Sequence, residues 1–209
     1  MLSLHSICFS LGNREVFKDL SLSFLPSSII YIKGANGSGK TSLMRMLAGI
    51  QTPSSGSITF DREALPISML EKPYCTYIGH KVGIKPELTA LEHLEFWAKL
   101  YDSAELIDAA IIYFKLEEII DKKCYELSAG MQKRVALARL IASPAKLWLL
   151  DEASSNLDSD NRQLLLNLII THANNGGITF IACHNEPEIK TAQVLDLAEF
   201  LPNLEENKS

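Results

Sequence analysis

The sequence predicts an α/β fold with a mostly parallel sheet, and three observations support this prediction. From residue 128 onward, helical patterns alternate with short apolar runs such as KLWLLD and ITFIAC, which is typical of a parallel sheet covered by helices on both faces. Residues 1–32 hold strand-like runs separated by the turn-like GNRE, which predicts an antiparallel β portion at the N-terminus. Residues from about 85 to 127 show helical periodicity and predict a small inserted lobe. We therefore expect residues 1–209 to form one domain, with a helical lobe over residues 85–142.

The composition argues against several classes of protein. The formal net charge is −5, so nucleic acid is not the expected partner. The four cysteines form no CxxC pair, which argues against a metal knuckle or a disulfide framework. No apolar run approaches the roughly 18 residues that a membrane-spanning helix needs. We expect a globular domain that does not itself cross a membrane.

A glycine-rich stretch carries the first chemical signal. GANGSGKT, residues 34–41, matches GxxxxGK(S/T) in full, between an apolar strand pattern and a helix that Gly49 closes. In this motif the glycines turn backbone N–H groups toward phosphate oxygens at a helix N-terminus, a lysine contacts the outer phosphates and a hydroxyl ligates Mg²⁺. A chance glycine turn is the alternative, and the strand–loop–helix context disfavours it. The residues that we expect to bind ATP are Gly34, Ala35, Asn36, Gly37, Ser38, Gly39, Lys40, Thr41, Ser42 and Asp151.

Two acids end a later strand pattern. LWLLDE, residues 147–152, would deliver Asp151 and Glu152 to the carboxyl edge of the parallel sheet, where open α/β folds bind ligands. Asp151 would hold Mg²⁺ together with Thr41, and Glu152 would orient and deprotonate the attacking water. An acidic pair after an apolar run is a weak signal by itself. Together with the phosphate-binding loop it predicts an ATPase.

Helix signals define the lobe. Thr89 and Glu92 have the spacing of a capping box, and Ser103 has the position of a cap for a second helix. The apolar face of the first helix would carry Leu91, Leu94, Ala98 and Tyr101. The apolar face of the second would carry Ile107, Ile111 and Phe114.

LSAGMQKRVALARL, residues 127–140, predicts a helix that Ser128 caps and that stops near Pro144. A capped helix start offers N–H groups and the positive end of a helix dipole, which suits a second phosphate contact. Because the chain already has one phosphate-binding loop, a second such site indicates that two subunits pair head to tail. An ordinary capped amphipathic helix is the alternative.

These elements, in this order, resemble the ATP-binding domains of ABC transporters, and the resemblance covers nearly the whole chain. The resemblance implies that the start of the capped helix is the signature that contacts the ATP of a partner subunit, through Leu127, Ser128, Ala129, Gly130 and Gln132. The implied D-loop, which crosses the dimer interface, consists of Ser155, Asn156, Leu157 and Asp158. His184, after the last apolar strand pattern, would be the switch histidine that contacts the γ-phosphate and the catalytic water.

The chain departs from the family pattern at two places. Ala153 follows the catalytic glutamate where the family usually has proline, which predicts a less rigid loop. The aromatic residue that stacks on adenine should lie near Leu11. The nearest aromatics are Phe9 and Phe17, and the contact stays unassigned.

Two segments resemble a narrower lineage. YIGHKVGIKPELTALEHLEFW and LSAGMQKRVALARL are similar to the ATP-binding subunits of bacterial cytochrome c maturation systems, the CcmA-type haem exporters. That resemblance implies an ATP-hydrolysing subunit on the cytoplasmic face of the inner membrane, bound to a CcmB-like permease and a CcmC-like haem-handling protein. Hydrolysis would drive haem handling or export for c-type cytochromes, and the ATPase would form a homodimer when ATP is bound.

Two other functions stay open. An ABC exporter with another cargo, such as a drug, a lipid or a lipoprotein, would have the same ATPase motifs, because the cargo path lies in a different chain. A soluble ABC mechanoenzyme acting on ribosomes or DNA is disfavoured by the single phosphate-binding loop and the negative net charge. Direct haem binding is not expected, since the chain has no CxxCH motif and His5, His93 and His172 have the pattern of surface or packing residues.

His80 stands where ABC ATPases carry a loop glutamine that reaches the Mg²⁺ and the attacking water. An exposed loop histidine without a role is the alternative. A neutral imidazole can accept a hydrogen bond from water or face the metal, whereas Mg²⁺ would repel an imidazolium. We therefore place His80 with Glu152 and His184 among the catalytic residues, and with Thr41 and Asp151 near the metal.

If His80 has this role, the rate of ATP hydrolysis falls as the pH drops through about 6.5, the ordinary pKa of a histidine side chain. In a steady-state assay of phosphate release, His80→Gln should remove this loss of rate at acid pH. The same profile measured on a His184 variant separates the two histidines, and an unchanged profile in His80→Gln would contradict the assignment.

Overall fold

The computed structural model describes residues 1–12, 14–64, 73–79, 81, 83–155, 157–182 and 187–201. The strands are β1 (Leu2–Leu11), β2 (Arg14–Phe24), β3 (Ile29–Lys33), β4 (Ser55–Phe60), β5 (Glu63–Ala64), β6 (Cys75–Ile78), β7 (Leu147–Asp151), β8 (Ile178–Ala182) and β9 (Gln193–Asp196). The α-helices are α1 (Lys40–Leu47), α2 (Ala90–Tyr101), α3 (Ile107–Tyr113), α4 (Ala129–Ala142) and α5 (Ser159–Asn174). Short 3₁₀ helices cover Ala104–Leu106, Cys124–Glu126 and Leu197–Phe200.

The strands form two sheets. The first is antiparallel, with the order β2-β1-β4-β5, and confirms the predicted N-terminal β portion. The second has the order β6-β7-β8-β3-β9, and each of its strand pairs is parallel. Because β3 precedes the glycine-rich loop and β7 ends in the acidic pair, the parallel sheet delivers both motifs to one edge.

Each face of the parallel sheet covers a separate hydrophobic core. Leu147 and Leu149 of β7 face a core shared with the antiparallel sheet and α1. Trp148 and Leu150 face a core shared with helices α2, α4 and α5. Burial on both faces explains why the strands of this sheet are continuous apolar runs.

The helical layer follows the sequence prediction at its first helix. Thr89 caps α2 by accepting a hydrogen bond from the Glu92 N–H, and the Glu92 carboxylate accepts one from the Thr89 N–H, so the predicted capping box is present. Ser103 has the predicted N-cap position, before the 3₁₀ helix that leads into α3, but its side chain makes no capping hydrogen bond. The buried Ser103 hydroxyl instead donates to the carbonyls of Ala98 and Ala142, so it joins α2 to α4. No helix among the described residues is long and apolar enough to span a bilayer.

A buried arginine ties the helical layer to the sheet. Arg139 of α4 is 3% exposed and donates from Nη2 to the Tyr77 carbonyl of β6 over 2.7 Å. Its guanidinium also lies 4.3 Å from the ring centroid of Trp97 on α2. This cation–π contact joins α2, α4 and β6 through one side chain.

We expect Phe180→Ala to lower the free energy of unfolding by about 3–5 kcal/mol, the usual range for a fully buried phenylalanine. Phe180 of β8 is fully buried and packs edge-on against Phe24 of β2, with ring centroids 4.9 Å apart, so its loss leaves a cavity between the two sheets. Urea denaturation measures the change. Ile112→Ala, at a side chain that is 66% exposed, is the control and should stay within about 0.5 kcal/mol of the parent. Equal effects of the two substitutions would contradict the packing argument.

Candidate nucleotide-binding site

The glycine-rich loop leads from β3 into α1 through a left-handed glycine. Gly39 is the N-cap of α1 and has a φ of 98°. A Cβ atom at this position would lie 2.6 Å from Cγ1 of Val16 and 3.0 Å from the ring of Phe17, both on β2. Glycine is therefore required here by backbone conformation and by space, because the loop lies directly against the antiparallel sheet.

Lys40, the first residue of α1, turns its side chain back over the loop. Its amine donates to the carbonyl of Gly34 over 2.7 Å and to that of Ala35 over 3.0 Å. The Ser38 N–H donates to the Ala35 carbonyl over 3.1 Å, and both Ser38 and Lys40 are buried. These contacts hold a positive charge beside the N-terminus of α1, which is the position that the sequence motif predicts for it.

The loop and the acidic pair line the same cavity, which has a volume of about 190 Å³. The cavity is lined by Leu11, Asn36, Gly37, Gly39, Lys40, Thr41, Ser42, Asp151 and Glu152. Two motifs more than a hundred residues apart in the sequence therefore face each other across one space. A hydroxyl, a carboxylate and an ammonium group around such a cavity fit a phosphate chain with a bound divalent cation.

Asp151 is buried and has a partner that the sequence reasoning missed. The Tyr77 hydroxyl of β6 donates to Oδ2 of Asp151 over 3.2 Å. Burial, followed by the negative charge of Asp151, raises the pKa of Tyr77, while Arg45 of α1 opposes the rise. Tyr77 therefore stays protonated and able to donate, and it holds one oxygen of Asp151 in place.

Glu152 has an unusual backbone for a residue with a side chain. Its φ is 56°, in the left-handed region. Its N–H donates to the Ala182 carbonyl of β8 over 2.8 Å, and its carbonyl accepts from the N–H of Ser155 over 3.1 Å and from the Ser155 hydroxyl over 2.7 Å. The carbonyl also accepts from the Lys133 amine over 3.2 Å. Neighbouring elements thus fix the conformation of the predicted catalytic base.

The predicted signature residues lie at the start of α4, apart from this cavity. Ser128 caps the helix by accepting a hydrogen bond from the Met131 N–H over 3.3 Å, and Ser128, Ala129 and Gly130 are exposed. Leu127 is buried. Exposed backbone N–H groups at a capped helix start can donate hydrogen bonds to an anion from outside the chain.

Gln132 is engaged within its own chain. Its side-chain amide donates to the carbonyls of Cys124 over 2.8 Å and of Leu127 over 3.2 Å, which fixes the turn that leads into α4. Its predicted contact with the ATP of a partner stays a prediction.

The predicted D-loop is described in part. Asp158 caps α5 by accepting from the Asn161 N–H over 2.8 Å, and this hydrogen bond holds the pKa of Asp158 below its ordinary value. Leu157 packs at the edge of the core that covers the helical face of the sheet. The predictions for His80, Asn156 and His184 lie outside the described residues.

The two aromatic rings near Leu11 are enclosed in the protein. Phe9 and Phe17 are 4% and 0% exposed, and their ring centroids lie 5.7 Å apart. Leu11 itself is 57% exposed and lines the cavity. Among the residues described around the loop, Leu11 presents an exposed aliphatic side chain at the cavity, whereas the two phenylalanines do not line it, and the adenine contact stays unassigned.

The other histidines considered in the sequence occupy the places expected for packing and surface residues. His172 stacks on Trp148 with ring centroids 3.7 Å apart, and its ring nitrogens lie 3.0 Å from the Thr179 hydroxyl and 3.0 Å from the Ala145 carbonyl. Burial lowers the pKa of His172 to about 4, and burial with nearby Arg139 does the same for His93. His5 is exposed on β1.

The fold and the cavity define the class of protein: this is an ATP-binding domain of the ABC transporter type, and the chain matches the ABC transporter family over residues 17–155. The chain is also 55% identical over 197 residues to the cytochrome c biogenesis ATP-binding export protein CcmA of Rickettsia bellii, an alignment that covers 94% of this chain and 100% of that protein. The chain belongs to this family of cytochrome c biogenesis ATP-binding export proteins.

Two solved structures with 20% sequence identity share the fold. A putative ABC transporter ATP-binding protein from Pyrococcus furiosus has a TM-score of 0.82, with 96% of this chain and 99% of that chain covered. A dimeric ATP-binding cassette in a post-hydrolysis state, bound to ADP and Pi, has a TM-score of 0.77 with 88% of each chain covered. The predicted fold class is confirmed.

We expect Gly39→Ala to abolish nucleotide binding, because the added methyl group would force the loop away from Val16 and Phe17. Gly176→Ala is the matched control: Gly176 has a similar φ of 86° but open space around its Cβ position, so it isolates the backbone strain. Fluorescent ATP-analogue titration measures binding in both. Normal binding by Gly39→Ala would show that the loop does not need this close approach.

Proposed function

We propose that this chain is the ATP-hydrolysing subunit of a membrane ABC complex that serves the maturation of c-type cytochromes. The observation that carries the proposal is the cavity in which Lys40 and Thr41 face Asp151 and Glu152. The 55% identity to a cytochrome c biogenesis ATP-binding export protein supports the pathway.

In this proposal the phosphates of ATP lie along the glycine-rich loop at the N-terminus of α1. The helix dipole and the Lys40 amine stabilise their negative charge. Thr41 and Asp151 line one cavity and carry hard oxygen donors, a hydroxyl and a carboxylate, and this donor set fits Mg²⁺. When bound there, Mg²⁺ neutralises charge on the phosphate oxygens. Tyr77 keeps the Asp151 carboxylate oriented toward the cavity.

Glu152 is the proposed general base. Its carboxylate takes a proton from water as the water oxygen bonds to the γ-phosphorus. The bond from that phosphorus to the β,γ-bridging oxygen breaks, and ADP and phosphate leave. His80 and His184 are proposed to contact the same water and γ-phosphate.

The start of α4 supplies the case for a head-to-tail dimer. Ser128, Ala129 and Gly130 are exposed at a capped helix start, so they can approach the phosphates bound to a second copy. Ser155–Asp158 would then lie at the subunit interface. A fold neighbour that forms a dimer with ADP and Pi supports this arrangement.

The proposed partners are a CcmB-like membrane permease and a CcmC-like haem-handling protein, with the ATPase on the cytoplasmic face of the inner membrane. Residues 1–209 would act as one ATP-binding domain, with residues 85–142 as its helical lobe. Haem and nucleic acid are not proposed as direct ligands of this chain.

An exporter with another cargo is the second candidate, because the ATPase motifs carry no information on cargo. Complementation separates the two. The gene should restore c-type cytochromes to a bacterium that lacks its own CcmA, and a Lys40→Met version should not. Failure of the intact protein to restore them, with ATPase activity retained, would favour the other cargo.

We expect Glu152→Gln to lower the rate of hydrolysis by about 10²–10⁴-fold, the range for loss of a general base, and to trap a dimer with ATP and Mg²⁺. Phosphate release and light scattering measure the two effects. Glu118→Gln, at an exposed glutamate, is the control and should behave like the parent. A monomer with bound ATP would count against the dimer, and undiminished hydrolysis would count against Glu152 as the base.

A further inference from the structure

Lys133 is a charged residue on the apolar side of α4. It shares that side with Ala136, Leu137 and Leu140, at helical spacing, and it is only 5% exposed. Burying an ammonium group is unfavourable unless hydrogen bonds and opposite charges compensate it. A lysine at such a position therefore calls for a partner inside the protein.

The partner is the backbone of Glu152. The Lys133 amine donates to the Glu152 carbonyl over 3.2 Å, across nineteen residues of sequence. Burial lowers the pKa of Lys133, while the carboxylates of Glu152 and Asp151 oppose that change, so the amine lies within the field of the acidic pair. The lysine thus links the signature helix to the end of β7.

The backbone that Lys133 contacts is the one that needs support. Glu152 adopts a φ of 56°, which is disfavoured for a residue with a Cβ atom. The next residue is Ala153. A proline at that position would favour extended backbone at Glu152, and alanine does not. The Ser155 donors to the same carbonyl come from the adjacent turn, whereas Lys133 donates from a separate helix.

We propose that Lys133 is a positioning residue for ATP hydrolysis: it holds the Glu152 backbone in the left-handed conformation that places this glutamate at the wall of the phosphate cavity. The inference rests on the proposed function, because it concerns the base of that reaction. In this proposal α4 has two roles. Its N-terminus, capped by Ser128, contacts the ATP of a partner subunit, and one turn later its Lys133 contacts Glu152 of its own subunit.

Lys133→Met tests this. The change removes the amine but keeps the length of the side chain, and the Glu152 carbonyl keeps its two hydrogen bonds from Ser155. We expect kcat at saturating ATP and Mg²⁺ to fall at least tenfold, while the Kd for ATP stays within twofold of the parent. Lys133→Arg should recover most of the rate, since a guanidinium can donate to the same carbonyl.

Lys146→Met is the control, at a lysine whose side chain is 77% exposed and pairs with Asp61 outside the site. It should keep the parental kcat and Kd. If Lys133→Met does not fold, Lys133→Leu, which also lacks a donor, replaces it in the same comparison, with circular dichroism as the check on folding.

Three results would overturn the proposal. A parental kcat in Lys133→Met would mean that the lysine only fills space, and an equal loss of kcat and of ATP affinity would mean general damage to the site. A change only in the Mg²⁺ concentration for half-maximal rate would mean that the amine balances carboxylate charge without positioning Glu152. Failure of the proposed function itself looks different: the parent would not hydrolyse ATP, or Glu152→Gln would be as active as the parent.

Discussion

The parallel sheet, buried on both faces, is the constraint on which the rest of this structure depends. Successive residues of β7 alternate between two hydrophobic cores, so a one-residue shift of register would move each large side chain into the opposite core, which is packed around different side chains. The parallel direction then places the ends of β3 and β7 at the same edge. The positions of the functional groups at that edge are therefore fixed by side-chain packing in the two cores.

The site is where the two cores meet. The phosphate-binding loop and α1 belong to the core under the antiparallel sheet, and α4 belongs to the core on the opposite face. Each side contributes a buried lysine, Lys40 from one and Lys133 from the other. Lys40 lines the same cavity as the acidic pair, and Lys133 contacts the Glu152 backbone from the other layer.

Sequence reasoning predicted those parts of the site that depend on local backbone chemistry. The glycine-rich loop, the cap at Ser128 and the capping box at Thr89 each follow from residues a few positions apart. Tyr77 and Lys133 were missed because their roles depend on which strands and helices become neighbours. One signal for Lys133 was available, since helical spacing places its charge on the same side as Leu137 and Leu140. The role of the Ser103 side chain could not be predicted, because a serine before a helix is equally able to donate to carbonyls of two neighbouring helices.

The two tryptophans of the chain have very different surroundings, and this gives the protein two built-in optical reporters. Trp148 lies three residues before Asp151 and is stacked flat on His172, so its emission should follow the integrity of the sheet. Trp97 lies under the guanidinium of Arg139, which also holds the Tyr77 carbonyl. A variant that retains only Trp97 would therefore reveal movement between the helical layer and the strand that carries Tyr77, without any attached dye.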